Sequence, residues 1–203
     1  MRPKLEQVKR QITPSQLSMF SRSPVIGAWW EELNKVDEQR APTPKTDSLD
    51  QLLFDFGHKH EEILIKDLEA KRKRVKRLSG KMTAEAFQET LDAIHDGRYD
   101  FIHQASLQNR ELRGSADILE RIDQPSKLGS WSYIPIECKL SSHSKPIYIV
   151  QACAYCELLE PILGNRPRHF KIYLGGKKFE KEPDGYRLDD FWIWYKRLRD
   201  RYR

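Results

Sequence analysis

The chain has 203 residues, with 36 Lys and Arg against 30 Asp and Glu, a net charge of +6, and 38% hydrophobic residues. This length allows one folded domain with a real core, or at most two small ones, and the basic balance favours polyanionic partners, nucleic acid first. No apolar run reaches the length of a membrane span, and the N-terminus lacks a secretory apolar region. Three cysteines do not make a disulfide framework, so we expect a cytoplasmic protein.

Residues 1–48 are predicted to form a helical segment and a linker. The run "TPSQL" is typical of a helix start, with Thr13 as the N-cap and Gln16 as its capping-box partner. A second helical piece is predicted in "VIGAWWEEL", and two prolines favour a loop in "DEQRAPTPKTDS".

Two further helices and a short strand are predicted next. Apolar residues at helical spacing indicate a long helix over residues 49–70, with a break at Gly57 left open. The run "RVKRLSG" fits a short strand. In "TAEAFQETLDAIHDG" we expect a helix that Thr83 caps and Gly97 ends.

The second half of the chain has an alternating, strand-like texture. Strands are predicted in "YDFIHQASLQ", "ELRGSADILERI", "SYIPIECKL" and "HFKIYLG", with a helix in "PIYIVQACAYCELLE" that Pro161 closes. The final "DDFWIWYKRLRDRYR" is predicted to be helical, and we expect the chain to be the first part of a longer protein. The order indicates an α/β fold, a small mixed sheet flanked by helices, with a strand–helix–strand crossover.

The run "IPIECKL" places two opposite charges in a strand that otherwise belongs in a core. Side chains two apart share a face, so Glu137 and Lys139 point one way, and Cys138 and Leu140 point the other way into the core. The simplest interpretation is a surface ion pair on a wet sheet face. The spacing alone decides nothing, because a Glu-x-Lys triplet also occurs at 69–71.

The neighbouring predicted strand gives the charged pair more weight. Asp117 lies in "RGSADILERI", and pairing of the two strands can bring it beside Glu137. Two carboxylates and a lysine at one end of a sheet suit a hard divalent cation such as Mg²⁺ or Mn²⁺. Lys139 can then hold a metal-bound water or neutralise charge on a phosphate.

Four motifs in a fixed order extend this pattern. They are Gly57-His58-Lys59-His60-Glu61, Gly114-Ser115-Ala116-Asp117, Glu137-Cys138-Lys139 and Gln151-Ala152-Cys153-Ala154-Tyr155. With the flanks "QITPSQLSMF" and "GSWSYIPIECKL", the chain resembles the RecB-like, CRISPR-associated-exonuclease-like branch of the PD-(D/E)XK nuclease superfamily. It also resembles a subgroup often joined to helicase domains. The resemblance implies a restriction-endonuclease-like core and a single nuclease domain over residues 1–203.

The resemblance also implies a role for each motif residue. It makes Asp117, Glu137 and Lys139 catalytic, with metal ligands from His60, Asp117, Glu137 and the Cys138 carbonyl, and substrate contacts from Gln151 and Tyr155. Glu61 remains an alternative ligand to His60, which could also be an ordinary surface histidine. Gln151 could instead hold a loop, and Tyr155 could be a core aromatic.

The activity that the resemblance implies is Mg²⁺- or Mn²⁺-dependent hydrolysis of DNA, with exonuclease action expected. The partners would be single-stranded DNA or duplex ends, and a helicase domain or subunit, with no membrane association. The alternative is a catalytically inactive nuclease fold that serves as a DNA-binding or helicase-docking module. The basic runs "KRKRVKR" and "YKRLRDRYR" are candidates for phosphate contacts.

The cysteines depart from the family pattern. Several relatives hold an iron–sulfur cluster with four cysteines, one of them near the first helix, where this chain reads "SRSPV". The cysteines here are Cys138, Cys153 and Cys156. We therefore expect no iron–sulfur cluster, and free buried thiols in the helix.

Overall fold

Helices and strands alternate along the chain in the computed structural model, which describes residues 11–24, 48–175 and 183–202. Within these residues the elements are α1 (Pro14–Arg22), α2 (Ser48–Ala70), β1 (Val75–Arg77), α3 (Ala84–Asp96), β2 (Phe101–Gln108), β3 (Arg113–Ile122), β4 (Ser132–Lys139), α4 (Pro146–Leu163), β5 (His169–Leu174), β6 (Asp184–Arg187) and α5 (Asp189–Tyr202). The predicted mixed α/β class is confirmed. The helix predicted in residues 25–33 and the loop over 37–47 lie outside the described residues.

The strands form one six-stranded mixed sheet in the order β1-β2-β3-β4-β5-β6. Strands β2, β3 and β4 are antiparallel to their neighbours within this trio, whereas β1 joins β2 and β5 joins β4 in parallel. Helix α4 makes the crossover from β4 to β5, as predicted. The short edge strand β6, antiparallel to β5, was not predicted.

Local sequence signals begin and end two of the helices as expected. The Gln16 N–H donates to Thr13 Oγ1 at 3.2 Å, and the Thr13 N–H donates to Gln16 Oε1 at 2.8 Å, which completes a capping box for α1. Thr83 caps α3 through the Ala86 N–H, and Gly97 ends it at a φ of 66°. These contacts satisfy helix-end amides that would otherwise lack partners.

Three local expectations need correction or completion. Helix α2 runs without a break through Gly57. Helix α4 continues past Pro161, because a proline in the last turn removes a single backbone donor; Gly164, at a φ of 76°, ends the helix instead. Leu140 does not enter the core, since it follows the last residue of β4 and is 40% exposed.

Both faces of the sheet are covered. One face packs against α3 and α4, and α1 and α5 pack in turn on α4, in a large apolar cluster that includes Leu17, Tyr133 and Tyr195. The other face packs against α2 in a smaller cluster around Ile65 and Ile136. Strand β4 is therefore buried on both sides, and the simple interpretation of its charged pair as a wet-face ion pair does not hold.

No helix among the described residues is long and apolar enough to cross a lipid bilayer.

Candidate functional site

Strands β3 and β4 separate where the charged residues lie. Their ladder pairs Ile118 with Ile136 and ends there, so Asp117 and Glu137 are the next residues beyond the last pair. Beyond the end of the β3–β4 ladder, the Cys138 N–H donates to the side chain of Asp117, at Oδ2, over 2.8 Å. We call this divergence of the two strands the fork; it brings the carboxylate of Asp117 against the backbone of β4.

Lys139 links the two carboxylates at the fork. Its Nζ lies 2.7 Å from Glu137 Oε2 and 3.7 Å from Asp117 Oδ2. Glu137 is only 1% exposed, whereas the Asp117 and Lys139 side chains are 22% and 20% exposed. The cluster is therefore buried at Glu137 and open to solvent at Asp117 and Lys139.

Burial dominates the ionisation of this cluster. Burial raises the pKa of Glu137 to about 7, although the Lys139 charge opposes the rise. Burial also raises the pKa of Asp117, with a further contribution from the negative charge of Glu61. Burial alone would lower the pKa of Lys139, but the charges of Glu137 and Asp117 raise it, so Lys139 remains an ammonium.

Glu61, on α2, supplies a third carboxylate to the same charge cluster. It is 6% exposed, and its Oε1 accepts hydrogen bonds from Gln104 Nε2 at 2.6 Å and lies 2.7 Å from His103 Nε2. Its charge raises the pKa values of both Asp117 and Glu137. Glu61, Asp117 and Glu137 therefore repel one another electrostatically. The Lys139 ammonium pairs with the latter two.

The support for Glu61 rests on a distorted point in β2. The β2–β3 register passes from His103 opposite Ile118 to Ala105 opposite Ala116, which leaves Gln104 and Asp117 unpaired in this ladder. Gln104 has a φ of 56°, a left-handed conformation that is unfavourable for an ordinary side chain. Gln104 was not among the predicted site residues; its signal in the sequence is "HQ", two polar residues within an apolar strand.

His60 lies on the α2 side of the sheet and presents an unpaired nitrogen. Its ring stacks on Tyr173, with centroids 4.8 Å apart. Among the described residues, its Nε2 is buried and has no hydrogen-bond partner. Burial lowers the pKa of His60, against the effect of a hydrogen bond to the Tyr173 backbone. The ring is thus favoured in the neutral form that metal coordination requires.

The remaining predicted residues occupy different surroundings. Cys138 is half-buried beside the small cluster under α2, and burial raises the pKa of its thiol well above the usual value. Tyr155 is buried and donates its hydroxyl to the Ser115 carbonyl at 2.6 Å. Gln151 is partly exposed, with its Nε2 3.4 Å from Ser15 Oγ. Tyr155 therefore braces β3 from α4, while Gln151 contacts the start of α1.

An open groove borders the Glu61 side of the cluster. It has a volume of about 470 Å³ and is lined by His58, Lys59, Glu61, Glu62, Ser79, His103 and Gln104. Across the described part of the chain, no three His, Cys, Asp or Glu side chains already form a metal cage. The Lys139 ammonium, which bridges Asp117 and Glu137, occupies part of the space between the acidic side chains.

Parts of the basic run "KRKRVKR" are engaged in internal ion pairs. Lys71 Nζ lies 2.7 Å from Asp67, and the Arg74 guanidinium lies 3.0 Å from Asp100. Arg77 contacts two carboxylates of α2 at 2.8 Å each. The positive charge that this run can offer to a polyanion is therefore reduced.

Neither the protein-family models nor the curated proteins give a match to this chain. The resemblance to RecB-like nucleases consequently rests on the four motifs and their order. Of those motifs, the fold brings Asp117, Glu137 and Lys139 into one cluster.

Proposed function

We propose that this chain is a metal-dependent DNA nuclease of the RecB-like type. The observation that carries the proposal is the fork, where Asp117 and Glu137, from two diverging strands, meet the Lys139 ammonium. Burying a carboxylate is costly unless a cation compensates it. Three carboxylates, those of Asp117, Glu137 and Glu61, share this region with the Lys139 ammonium, and the raised pKa values of Asp117 and Glu137 indicate that Lys139 alone does not compensate their negative charges, which supports a role for an added cation.

The donor set fits a hard divalent ion. Carboxylate oxygens from Asp117 and Glu137 are the ligands that Mg²⁺ and Mn²⁺ prefer. The unpaired His60 Nε2 offers a neutral nitrogen ligand, and Glu61 supplies a further carboxylate on the same helix. His60, Asp117 and Glu137 would hold the ion, with Glu61 as the alternative to His60.

The protein's own residues divide the chemistry of phosphodiester hydrolysis. A cation held by His60, Asp117 and Glu137 would supply Lewis-acid activation of water and charge stabilisation at the phosphate. Lys139 keeps its proton, so it acts as a hydrogen-bond donor to a water or a phosphate oxygen and not as a general base. Asp117 accepts the Cys138 N–H, which fixes its carboxylate on the solvent-open side of the fork.

The partly exposed cluster, the adjoining groove and the positive net charge support a polyanionic substrate. DNA follows from the resemblance of the four motifs. An exonuclease action on single strands or duplex ends, and a helicase partner, belong to the same proposal.

A cleavage assay on end-labelled single- and double-stranded DNA tests the proposal. Wild-type protein should cut DNA with Mg²⁺ or Mn²⁺ and not with EDTA, and Asp117→Asn should abolish cutting. The matched control is Lys171→Ala, since Lys171 forms a comparable pair with Glu120 on the same sheet, 2.6 Å apart. Cutting that survives Asp117→Asn refutes the proposal. DNA binding without cutting under any metal condition supports the inactive docking module instead.

A further inference from the structure

Tyr148 extends the face of α4 that looks toward the fork. It lies in the first turn of α4, and residues 148, 151 and 155 follow the i, i+3, i+7 spacing of one helix face. The partly buried Tyr148 ring packs against the large apolar cluster. Tyr148 thus shares a helix face with Gln151 and Tyr155, the two residues that the Gln-x-x-x-Tyr motif predicts to contact substrate.

Two ammonium groups approach the Tyr148 ring. Lys139 Nζ is 5.7 Å from the ring centroid and Lys145 Nζ is 5.9 Å from it. Lys145 is exposed and makes no ion pair within the described chain. A cation without a carboxylate partner, held against an aromatic ring beside the candidate active site, is available to an incoming anion.

The Tyr148 hydroxyl differs from that of its neighbour on the same helix face. The Tyr155 hydroxyl donates a hydrogen bond to the Ser115 carbonyl. The Tyr148 hydroxyl has no hydrogen bond to any described residue and is not buried. The polar edge of Tyr148 is therefore left to solvent or to a ligand.

We propose that Tyr148 and Lys145 form a subsite for one nucleotide of single-stranded DNA beside the fork; this rests on the proposed nuclease function. An aromatic face stacks an unpaired base, and an adjacent ammonium pairs with the phosphate of the same strand. Bases within a duplex are stacked on each other and cannot reach the ring. The subsite therefore selects single strands, or the frayed end of a duplex.

Binding measured without catalysis tests the subsite. Fluorescence anisotropy with a labelled thymidine oligonucleotide in EDTA should show Tyr148→Leu weakening affinity by about tenfold, the usual scale of one base stack. Tyr148→Phe should keep the affinity, because the ring remains. Lys145→Ala should lower the slope of log affinity against log salt by about 0.7, the loss of one single-strand phosphate contact. Blunt duplex of equal length should respond less than twofold to Tyr148→Leu, on the same scale of stacking effects.

Tyr99 provides a matched control at the end of β4 away from the fork, where its carbonyl accepts a hydrogen bond from the Tyr133 hydroxyl at 3.1 Å. Its ring also lies near two cations, with Lys76 Nζ 5.9 Å and the Arg98 guanidinium 5.2 Å from its centroid, and it packs against the same cluster. Tyr99→Leu should leave oligonucleotide affinity unchanged. Equal losses from Tyr99→Leu and Tyr148→Leu, or unchanged single-strand affinity in both Tyr148→Leu and Lys145→Ala, overturn the subsite.

The outcomes separate this inference from the proposed function. Because the binding assay contains no divalent cation, a chain that fails to cleave DNA can still show the stacking effect. Conversely, cleavage by the wild type together with unchanged binding by the Tyr148 and Lys145 variants removes the subsite and leaves the nuclease. Thermal melting followed by circular dichroism confirms that each variant is folded, and Lys145→Ala, a change at an exposed side chain, guards against misfolding of Tyr148→Leu.

Discussion

The ionisation of Glu137 predicts how the stability of the protein changes with pH. The folded-state pKa of this group is about 7, against an ordinary value of 4.5, because the side chain is buried. A proton is therefore held more tightly in the folded state than in the unfolded state. The resulting stability is fully present below about pH 4.5 and is lost as pH rises to about 7, at about 1.4 kcal/mol for each pH unit, a total of about 3 kcal/mol.

Glu137→Gln isolates this contribution, because the neutral amide resembles the protonated acid and can still accept from Lys139. At about pH 5 the variant and the wild type should have similar free energies of unfolding, and at about pH 8 the variant should be more stable by up to about 3 kcal/mol. Urea unfolding followed by circular dichroism across that range measures the difference. Saturating Mn²⁺ at the higher pH should stabilise the wild type and leave the variant unchanged.

Asp100 supplies a control of opposite sign. The hydrogen bond from Arg74 lowers the pKa of Asp100, so its stabilising effect is present throughout neutral pH and is lost only in acid. Asp100→Asn should therefore destabilise the protein by an amount that does not change between about pH 5 and about pH 8. A Glu137→Gln advantage that is constant with pH, or that shrinks as pH rises, refutes the reasoning.

Three other variants test individual parts of the site. Lys139→Ala should nearly abolish Mg²⁺-dependent cleavage while calorimetry finds Mn²⁺ affinity retained or raised, because the bridging ammonium no longer competes; lost affinity with normal turnover contradicts this. His60→Ala should weaken Mn²⁺ binding about tenfold or more, if a ligand is lost, whereas an unchanged affinity transfers that role to Glu61. Gln104→Gly relieves the left-handed backbone but removes the amide that holds Glu61, so it should lower kcat without unfolding the protein. Arg72→Gly, at a second non-glycine residue of positive φ among those that the structure describes, should leave kcat unchanged.

Local patterns predict much of the fold. Thr13 and Gln16 announce the start of α1, Thr83 and Gly97 delimit α3, and the alternating runs mark β2 to β5. These signals depend on neighbours in the sequence, which is why they can be read without tertiary structure. Pro161 gives the wrong end for α4, because a proline in the last turn destabilises a helix only slightly. The helix ends at Gly164 instead.

The candidate site is predictable only in part. The triplet at β4 and the carboxylate at Asp117 follow from the motifs, and strand pairing explains why they meet. The hydrogen bond from the Cys138 amide to Asp117 depends on where the β3–β4 ladder ends, which no local pattern indicates. The links of Glu61 to His103 and Gln104 join residues far apart in sequence, and the adjacent polar residues "HQ" do not indicate the left-handed conformation of Gln104.

One oxygen atom at the fork, Asp117 Oδ2, takes part in two interactions. It accepts a hydrogen bond from the Cys138 N–H and also faces the Lys139 ammonium. A metal ion that binds this oxygen would therefore weaken the hydrogen bond that joins β4 to β3. Metal binding at the fork and the hydrogen bond between β3 and β4 are thereby thermodynamically linked. The solvent exchange of a single backbone proton, that of Cys138, becomes a natural gauge of whether the site is filled.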